Sequence, residues 1–254
     1  MKCPSCSYVR QEHDTHVVAG ICPSCGIAYA KYRPPDAAPE QTPDAPEPER
    51  AQLIDADEDP GTFRERLAET FLYVPDEVDR TAFWGRVALY AVFVLWGSSF
   101  ILGGVDWESI GGSFLHNVNL PFHEFGHVLF GFFGTFMGIL GGSLFQVLMP
   151  LIALVSFTVQ MRDNFAASIM LWWCGQNMID VSPYIADAPY RNLPLILGMG
   201  EDAHDWWNLL GMLGMLEQAD EIANAVFFCG CVTMLLSFAW GALILRRQQV
   251  ALRD

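Results

Sequence analysis

The segment from Pro121 to Gly131 reads PFHEFGHVLFG and contains residue types that together could carry out chemistry. His123 and His127 are four residues apart, so on an α-helix both imidazoles project from one face and can bind a single zinc ion. Glu124 follows His123 by one position, where it can exchange a proton with a zinc-activated water. The pattern therefore predicts a helix that carries the minimal apparatus for hydrolysing an amide bond.

A catalytic zinc also needs a third protein ligand and an open fourth position. A later apolar run, GQNMIDVSPYIADA, has polar residues at three- and four-residue spacing, on one face of a helix. These residues are Gln176, Asn177, Asp180, Tyr184 and Asp187. Pro183 would kink this helix and turn the Asp187 carboxylate toward a site. His204 and Asp205, in EDAHDWWNLLG, are further candidates, either for the third ligand or for a residue that orients it.

A second metal site is predicted near the N-terminus. Two C-P-S-C segments, separated by fifteen residues, supply Cys3, Cys6, Cys22 and Cys25. Four thiolates satisfy tetrahedral zinc, and the metal replaces the hydrophobic core that so short a segment cannot build. Residues 1–33 are therefore predicted to be a small zinc ribbon with one structural zinc, in which the two C-P-S-C turns lie at the tips of a short strand pair. Two disulfides, or iron in the same four-sulfur cage, are the alternatives.

The elements that must position the first site are predicted to be membrane helices. Hydrophobic residues make up 52% of the 254 residues and charged residues only 17%, with a mean hydropathy of +0.25, which is too apolar for an ordinary water-soluble domain. The net charge of −15 argues against a nucleic-acid binder, which needs clustered Lys and Arg. Residues 34–61 are rich in Pro and acids and predict a disordered linker. Residues 62–80 predict an amphipathic helix at the membrane surface.

Residues 81–254 are predicted to form an all-α polytopic membrane domain with about five or six apolar segments. The strong segments are residues 82–104, 118–140, 143–160, 165–188 and 222–245, with Gly141-Gly142 read as an interruption. Five crossings would put the ends of the domain on opposite sides, whereas Arg80 and the Arg246-Arg247 pair both favour the cytoplasmic side. A re-entrant segment, or a further partial span at 193–216, would remove this conflict. Two histidines and a glutamate within an apolar span are costly unless they bind something, which favours a functional interpretation of the motif. His116, about two turns earlier, is interpreted as an interfacial histidine.

The motif from His123 to His127 in an apolar helix, together with Asn177, Pro183 and Asp187 in a later segment, resembles the site-2 protease family of intramembrane zinc metalloproteases. The resemblance covers roughly residues 110 to 190. It implies that His123, His127 and Asp187 bind the catalytic zinc, that Glu124 is the general base, and that the substrate is a membrane-spanning or membrane-adjacent segment. The family's later motif usually ends in Asp-Gly, where this chain has Asp187-Ala188 and a longer spacing from Asn177. Asp180, His204 and Asp205 therefore stay as alternatives for the third ligand.

The sequence thus predicts a multi-pass membrane metalloprotease with one catalytic and one structural zinc. A membrane-protein or peptide substrate and the lipid bilayer are the expected partners, and the ribbon, expected on the cytoplasmic side, would bind a partner protein. The alternative is a non-catalytic membrane scaffold, in which the ribbon is the active module and the intramembrane metal only holds helices together. A closed four-ligand site would favour the scaffold, and an open position beside Glu124 would favour the protease. The identity of the substrate does not follow from the sequence.

Overall fold

The computed structural model describes residues 2–11, 13–14, 17–31, 62–194, 200 and 203–252. The chain divides into two compact units, Met1–Pro60 and Gly61–Asp254. The predicted acidic linker at residues 34–61 lies outside the described residues, so that prediction stays a prediction.

In the N-terminal unit each C-P-S-C segment forms a tight turn. The residue after each segment, Ser7 or Gly26, has a positive φ, 61° and 74° respectively, which sends the chain back alongside itself. The pairing that follows consists of isolated antiparallel bridges, Lys2 with Val9 and Ile21 with Ala28. The structure therefore has single bridges where we expected a short strand pair.

Helices make up most of the described part of the second unit, which confirms the predicted helical character. In chain order they are α1 (Phe63–Phe71), α2 (Arg80–Gly103), α3 (Trp107–Gly111), α4 (Phe114–Phe130), α5 (Thr135–Val155), α6 (Asn164–Ala186), α7 (Asp205–Leu213) and α8 (Ala219–Ala251). Short 3-10 helices at Gly131–Phe133 and Leu216–Gln218 precede α5 and α8, and a π-helical turn at Ser156–Gln160 extends α5. Thr62 begins α1 with a reciprocal capping box to Glu65, and α1 ends at Phe71, so it covers only the first half of the amphipathic helix predicted at residues 62–80.

Three helical stretches are long and apolar enough to cross a membrane: Arg80–Gly103, Thr135–Gln160 and Leu216–Ala251. α6 is also long, but its polar residues lower its hydropathy, and α4 is short, with 17 residues. Three of the predicted helices thus have the length and hydropathy that a membrane crossing needs, while the larger number of five or six segments stays a prediction.

α6 is the central helix of this unit, because it packs against α2, α5 and α8 and most of its side chains are buried. Its closest approach is to α8, where a Cβ at Gly175 would lie 2.7 Å from the carbonyl oxygen of Gly230. Beside this crossing Trp172 and Ile179 are buried with Met234 in a hydrophobic cluster. The polar residues of α6 are therefore enclosed by protein, as expected for such residues in a membrane helix.

The beginning of α2 and the end of α8 lie at the same end of the helical unit. The Trp240 indole N–H donates to the Phe71 carbonyl at 2.7 Å, and Arg247 donates to the Leu72 carbonyl at 3.0 Å, so α8 ends beside α1. At this end Arg86, in the second turn of α2, also forms an ion pair with Asp163 at 3.0 Å. The two basic ends therefore lie at the same end of the unit, while the number of crossings that connect them stays a prediction.

The predicted interruption at Gly141-Gly142 is wrong. The helix break falls earlier, at Gly131–Gly134, where Gly134 has a φ of 99° that L side chains rarely adopt. Gly141 and Gly142 lie inside α5, which turns back against α4. We expected two glycines to break the chain, but here their lack of side chains lets two helices touch.

Candidate metal centre

α4 carries the motif at the place where it packs against α5. His123 is buried, whereas Glu124 and His127 are half-buried, so the three side chains line an interior surface rather than the outside of the unit. A Cβ at Gly141 would lie 2.5 Å from the carbonyl oxygen of Gly126, which shows how closely the two backbones approach. The close approach brings side chains and carbonyls of α5 within hydrogen-bonding distance of the histidines.

Gly142 leaves the space in which the imidazoles meet. A Cβ at this position would lie 2.6 Å from Nε2 of both His123 and His127, well inside van der Waals contact. Any larger residue at position 142 would therefore displace the two nitrogen atoms that the motif uses to bind metal.

Each histidine is held through its Nδ1 atom. The Nδ1–H of His127 donates to the carbonyl oxygen of Gly138 at 2.9 Å, and the Nδ1 of His123 lies 3.0 Å from Oε1 of Gln146. The Gln146 amide is oriented in turn, because its Nε2 donates to Asp180 at 2.7 Å, so its oxygen must accept from His123. With both Nδ1 atoms donating, both Nε2 atoms present a lone pair, as in metal-binding histidines.

Asp205, at the start of α7, faces both lone pairs with one carboxylate oxygen. Its Oδ2 lies 2.9 Å from Nε2 of His123 and 3.3 Å from Nε2 of His127. Three electron-rich atoms so close together are stabilised by a shared cation, either a proton or a metal ion. In a tetrahedral zinc site with bonds near 2.0–2.1 Å, the ligand atoms lie about 3.3 Å apart, so the two imidazoles and the carboxylate fit zinc in both donor type and spacing.

The start of α7 is fixed by residues of α6. His204 is the N-cap of α7, and its Nδ1 accepts from the backbone N–H of Trp207 at 3.2 Å, so its Nε2–H faces Asp187, 3.3 Å away. The Tyr184 hydroxyl accepts the backbone N–H of Asp205 at 2.9 Å. Two side chains from the end of α6 thus hold the first turn of α7 where Asp205 reaches the histidines.

The four candidates for the third ligand therefore have different surroundings. Asp205 joins His123 and His127 in one group of potential ligand atoms, all within 4.8 Å of one another. Asp187 accepts instead from the backbone N–H groups of Asn192 and Leu193, each at 3.0 Å, and faces His204. Neither residue of this second pair belongs to that group in the described part of the chain.

Asp180 lies deeper and binds other side chains. It accepts from Gln146 at 2.7 Å and from Asn119 at 3.2 Å, and its Oδ1 lies 3.0 Å from Nδ1 of His116. Through Gln146 it acts on His123 indirectly, as an outer partner that orients a candidate ligand. Sequence reasoning missed Gln146 and Asn119, because a single amide in an apolar run has no spacing signature.

A cavity of about 310 Å³ opens beside the candidate metal site. Glu124 and Asp205 line it on the side of the histidines, and His116 and Trp107 line it farther along. The Glu124 carboxylate makes no hydrogen bond within the described part of the chain, so it is available to a molecule in the cavity. A volume of this size lies at the lower end of the range of ligand-binding pockets.

In the N-terminal unit the four cysteines gather as the spacing predicted, and their sulfur atoms lie within 4.8 Å of one another. Sγ of Cys3 is 3.7 Å from Sγ of Cys25, and Sγ of Cys6 is 3.6 Å from Sγ of Cys22. These separations are too long for disulfides, which need about 2.05 Å. Four thiolates at about 2.3 Å from a tetrahedral zinc would lie about 3.8 Å apart, which is close to the observed spacing.

The environment of the cluster also favours a thiolate. Burial raises the pKa of the Cys22 thiol, but the backbone N–H groups of Cys25 and Ser24 act against burial, and together with the neighbouring thiols they bring this pKa to about 6. Two of the four cysteines, Cys3 and Cys22, are buried to 1% exposure. At Cys25 the Ile27 N–H lowers the pKa, but burial and the neighbouring thiols raise it to about 12, so the cluster favours one thiolate, at Cys22, among four sulfur donors.

The fold and the site together define a helical protein with three stretches long and apolar enough to span a membrane and, in the described residues, two groups of potential metal ligands. Comparison of the chain with models of protein families, with curated proteins and with solved structures finds no match. The resemblance to the site-2 protease family consequently depends on the motif residues themselves.

Proposed function

We propose that the chain is a membrane metalloprotease that binds one catalytic zinc through His123, His127 and Asp205. The observation that carries the proposal is the convergence of two Nε2 lone pairs on one carboxylate oxygen, at 2.9 and 3.3 Å, beside a cavity that Glu124 lines. Asp205 takes the place that the family resemblance would give to Asp187.

The side chains divide the work of hydrolysis among themselves. When bound, zinc would supply Lewis-acid polarisation of the scissile carbonyl and would lower the pKa of the attacking water. Glu124 accepts the proton from that water and returns it to the nitrogen of the leaving amine, so no covalent intermediate with the protein is needed. Gln146 and the carbonyl of Gly138 keep both imidazoles in the tautomer that presents Nε2.

The open position of the site favours catalysis over a structural metal. In the described part of the chain, three residues form this ligand group, which leaves the fourth tetrahedral position to water or substrate. The proposed substrate is a peptide segment within or next to the bilayer, because α4 lies among helices that are apolar enough to cross a membrane.

The ribbon is proposed to hold a structural zinc through Cys3, Cys6, Cys22 and Cys25 and to bind a partner protein. We propose that it lies on the cytoplasmic side. Arg80, Arg86 and Arg247 lie at the same end of the helical unit as α1. Basic residues next to membrane helices favour the cytoplasmic side.

Replacing Glu124 by glutamine tests the catalytic assignment. The full chain would be loaded with zinc, reconstituted in proteoliposomes, and incubated with a set of single-span membrane segments that contain helix-breaking residues. We expect E124Q to lower the cleavage rate by about a hundredfold or more, because the general base is lost, with the zinc content unchanged. Glu221, exposed at the start of α8, provides the matched control E221Q.

Cleavage by E124Q at the wild-type rate would contradict the role of Glu124. The scaffold alternative would be supported instead if the wild-type protein retained its zinc, cleaved no segment, and showed no exchangeable ligand on the zinc. Zinc content and ligand exchange are measured on the same preparations, so the two outcomes are distinguishable.

A further inference from the structure

The cavity has a second polar region, formed by His116 and Asp180, that the proposed hydrolysis does not use. Nδ1 of His116 lies 3.0 Å from Oδ1 of Asp180, and its ring forms a T-shaped contact with Trp107, with the ring centroids 5.0 Å apart. Both residues of the pair line the same cavity as Glu124. The imidazole is thus fixed in position by two neighbours and borders the space that a substrate would enter.

The Asp180 carboxylate is almost fully committed to holding this arrangement. It is 3% exposed, and its Oδ2 accepts from both Gln146 and Asn119. Asn119 is held as well, because its oxygen accepts the indole N–H of Trp173 at 2.9 Å. Since an ionised carboxylate only accepts hydrogen bonds, His116 must donate through Nδ1–H.

That donation determines what His116 offers to the cavity. In the neutral ring the remaining nitrogen, Nε2, carries a lone pair and accepts a hydrogen bond. Nε2 of His116 makes no hydrogen bond within the described part of the chain. The side-chain polar atoms of Asp180, Asn119 and Gln146, by contrast, all have partners. A fixed acceptor without a partner at the wall of a cavity is suited to bind an N–H group of a ligand.

The distance between the two polar regions indicates the kind of ligand. His116 and His123 are seven residues apart in α4, which is two helical turns or about 10 Å. An extended peptide advances about 3.3 Å per residue, so about three residues separate the metal site from His116. Main-chain N–H groups recur along such a peptide whatever its side chains are.

We propose that His116, oriented by Asp180, is a substrate-binding residue that accepts a main-chain N–H of an extended peptide about three residues from the scissile bond. The inference rests on the proposed protease function, because the metal site defines where the scissile bond lies. Such a contact selects an unwound segment over a helix, since the N–H groups of a helix are already bonded within the helix.

Peptidyl hydroxamates of increasing length test this subsite without requiring a known substrate. The hydroxamate group binds zinc, acetohydroxamate reaches only the metal, and derivatives with one, two and three residues extend along the cavity. Binding is measured on the zinc-loaded full chain. We expect H116F to bind acetohydroxamate like the wild type, but to bind the longest compound roughly tenfold more weakly, the effect of one lost hydrogen bond. N117A, at an exposed neighbouring position, is the control.

A change in the ligand makes the test independent of the folding of any variant. Methylation of the amide nitrogen that meets His116 should weaken binding to the wild type by a similar factor, and should have no further effect in H116F. Equal binding of the whole series by wild type and H116F would overturn the subsite, as would equal weakening of acetohydroxamate and the long compound. If acetohydroxamate failed to bind zinc-loaded wild type, the open fourth position of the metal site would be overturned, and with it the proposed protease function.

Discussion

At the scale of single residues, hydrogen bonding through one nitrogen of a histidine decides what the other nitrogen can do. His123 and His127 each donate through Nδ1, to a glutamine oxygen and a main-chain carbonyl respectively, so their Nε2 atoms are free for a metal. His116 also donates through Nδ1, to a carboxylate, and offers its Nε2 to the cavity. Identical side chains on one helix therefore have different proposed roles, which depend on what each ring faces.

Asp187, just after the end of α6, and Asp205, at the start of α7, can be distinguished by their partners. We expect D205A to lower the zinc content of the full chain from two ions to one, because it removes a direct ligand. D187A should retain both ions at saturating zinc. It should lose the ion at the proposed site of His123, His127 and Asp205, the membrane-site ion, faster on dilution into chelator, because the start of α7 is less firmly held. Outer partners of metal ligands typically change metal affinity by about 10- to 100-fold.

Metal analysis of the purified variants, with the ribbon variant C3S as a reference for the other site, checks this assignment. C3S should lose the ribbon zinc and keep the ion bound by His123 and His127. Loss of the membrane-site ion in D187A, with retention in D205A, would restore the ligand set that the family resemblance implies.

At the scale of helices, the approach of α4 to α5 determines whether a metal site exists at all. Gly126 and Gly141 let the backbones touch, and Gly142 leaves room for the imidazole nitrogens. A helix pair separated by ordinary side chains would hold His123 and His127 away from Gln146 and Gly138. The site is therefore a property of the helix pair rather than of the motif helix by itself.

Replacing Gly142 by alanine should abolish the membrane-site zinc. The added methyl group would lie 2.6 Å from both Nε2 atoms, so the rings must move from their positions against Asp205. Overpacking of this kind typically also costs about 1–3 kcal/mol of stability. Zinc content and thermal unfolding in detergent measure the two effects.

G211A is the matched control for that substitution. Gly211 lies in α7, the helix that carries Asp205, and a Cβ there meets nothing within 4 Å. Alanine also has a higher helix propensity than glycine, so this variant should keep its zinc and its stability. Retention of the membrane-site zinc in G142A would show that the histidines do not need their present positions to bind the metal.

At the scale of the whole helical unit, its first helix, α1, and the end of its last helix, α8, lie together at one end of the unit. α1 hydrogen-bonds to Trp240 and Arg247 near the end of α8, whereas α8 begins with Asp220 and Glu221 at the opposite end. Because the arginines near the membrane helices, among them Arg80, Arg86 and Arg247, lie at the α1 end, we expect α1 on the cytoplasmic side of the membrane.

Labelling of introduced cysteines tests the proposed orientation. Glu69 in α1 and Glu221 at the start of α8 are both exposed and lie at opposite ends of the unit. In intact cells, a membrane-impermeant maleimide should label E221C but not E69C, and after lysis it should label both. The parent chain gives the background from native thiols, and labelling of E69C in intact cells would reverse the orientation.

Some of this protein follows from local pattern. The metal-binding capacity of the two C-P-S-C segments and of the motif at His123 could be predicted, because ligand spacing within one turn or one helix is set by short-range geometry. Helical membrane-spanning stretches could be predicted too, since apolar length is a property of a continuous segment. The polar stripe of α6 could also be predicted from its spacing, whereas the position of α6 at the centre of the unit could not.

Tertiary structure decided which residue meets the histidines and where the helices break. Asp205 reaches His123 across 82 residues of sequence, and nothing in the spacing of its neighbours distinguishes it from Asp187. Glycine at positions 141 and 142 permits both a chain break and a close helix contact, and only the packing partner selects between them. Local sequence determined the ligands that lie on one helix, whereas the third ligand and the close contact depend on long-range packing, which one-dimensional periodicity does not encode.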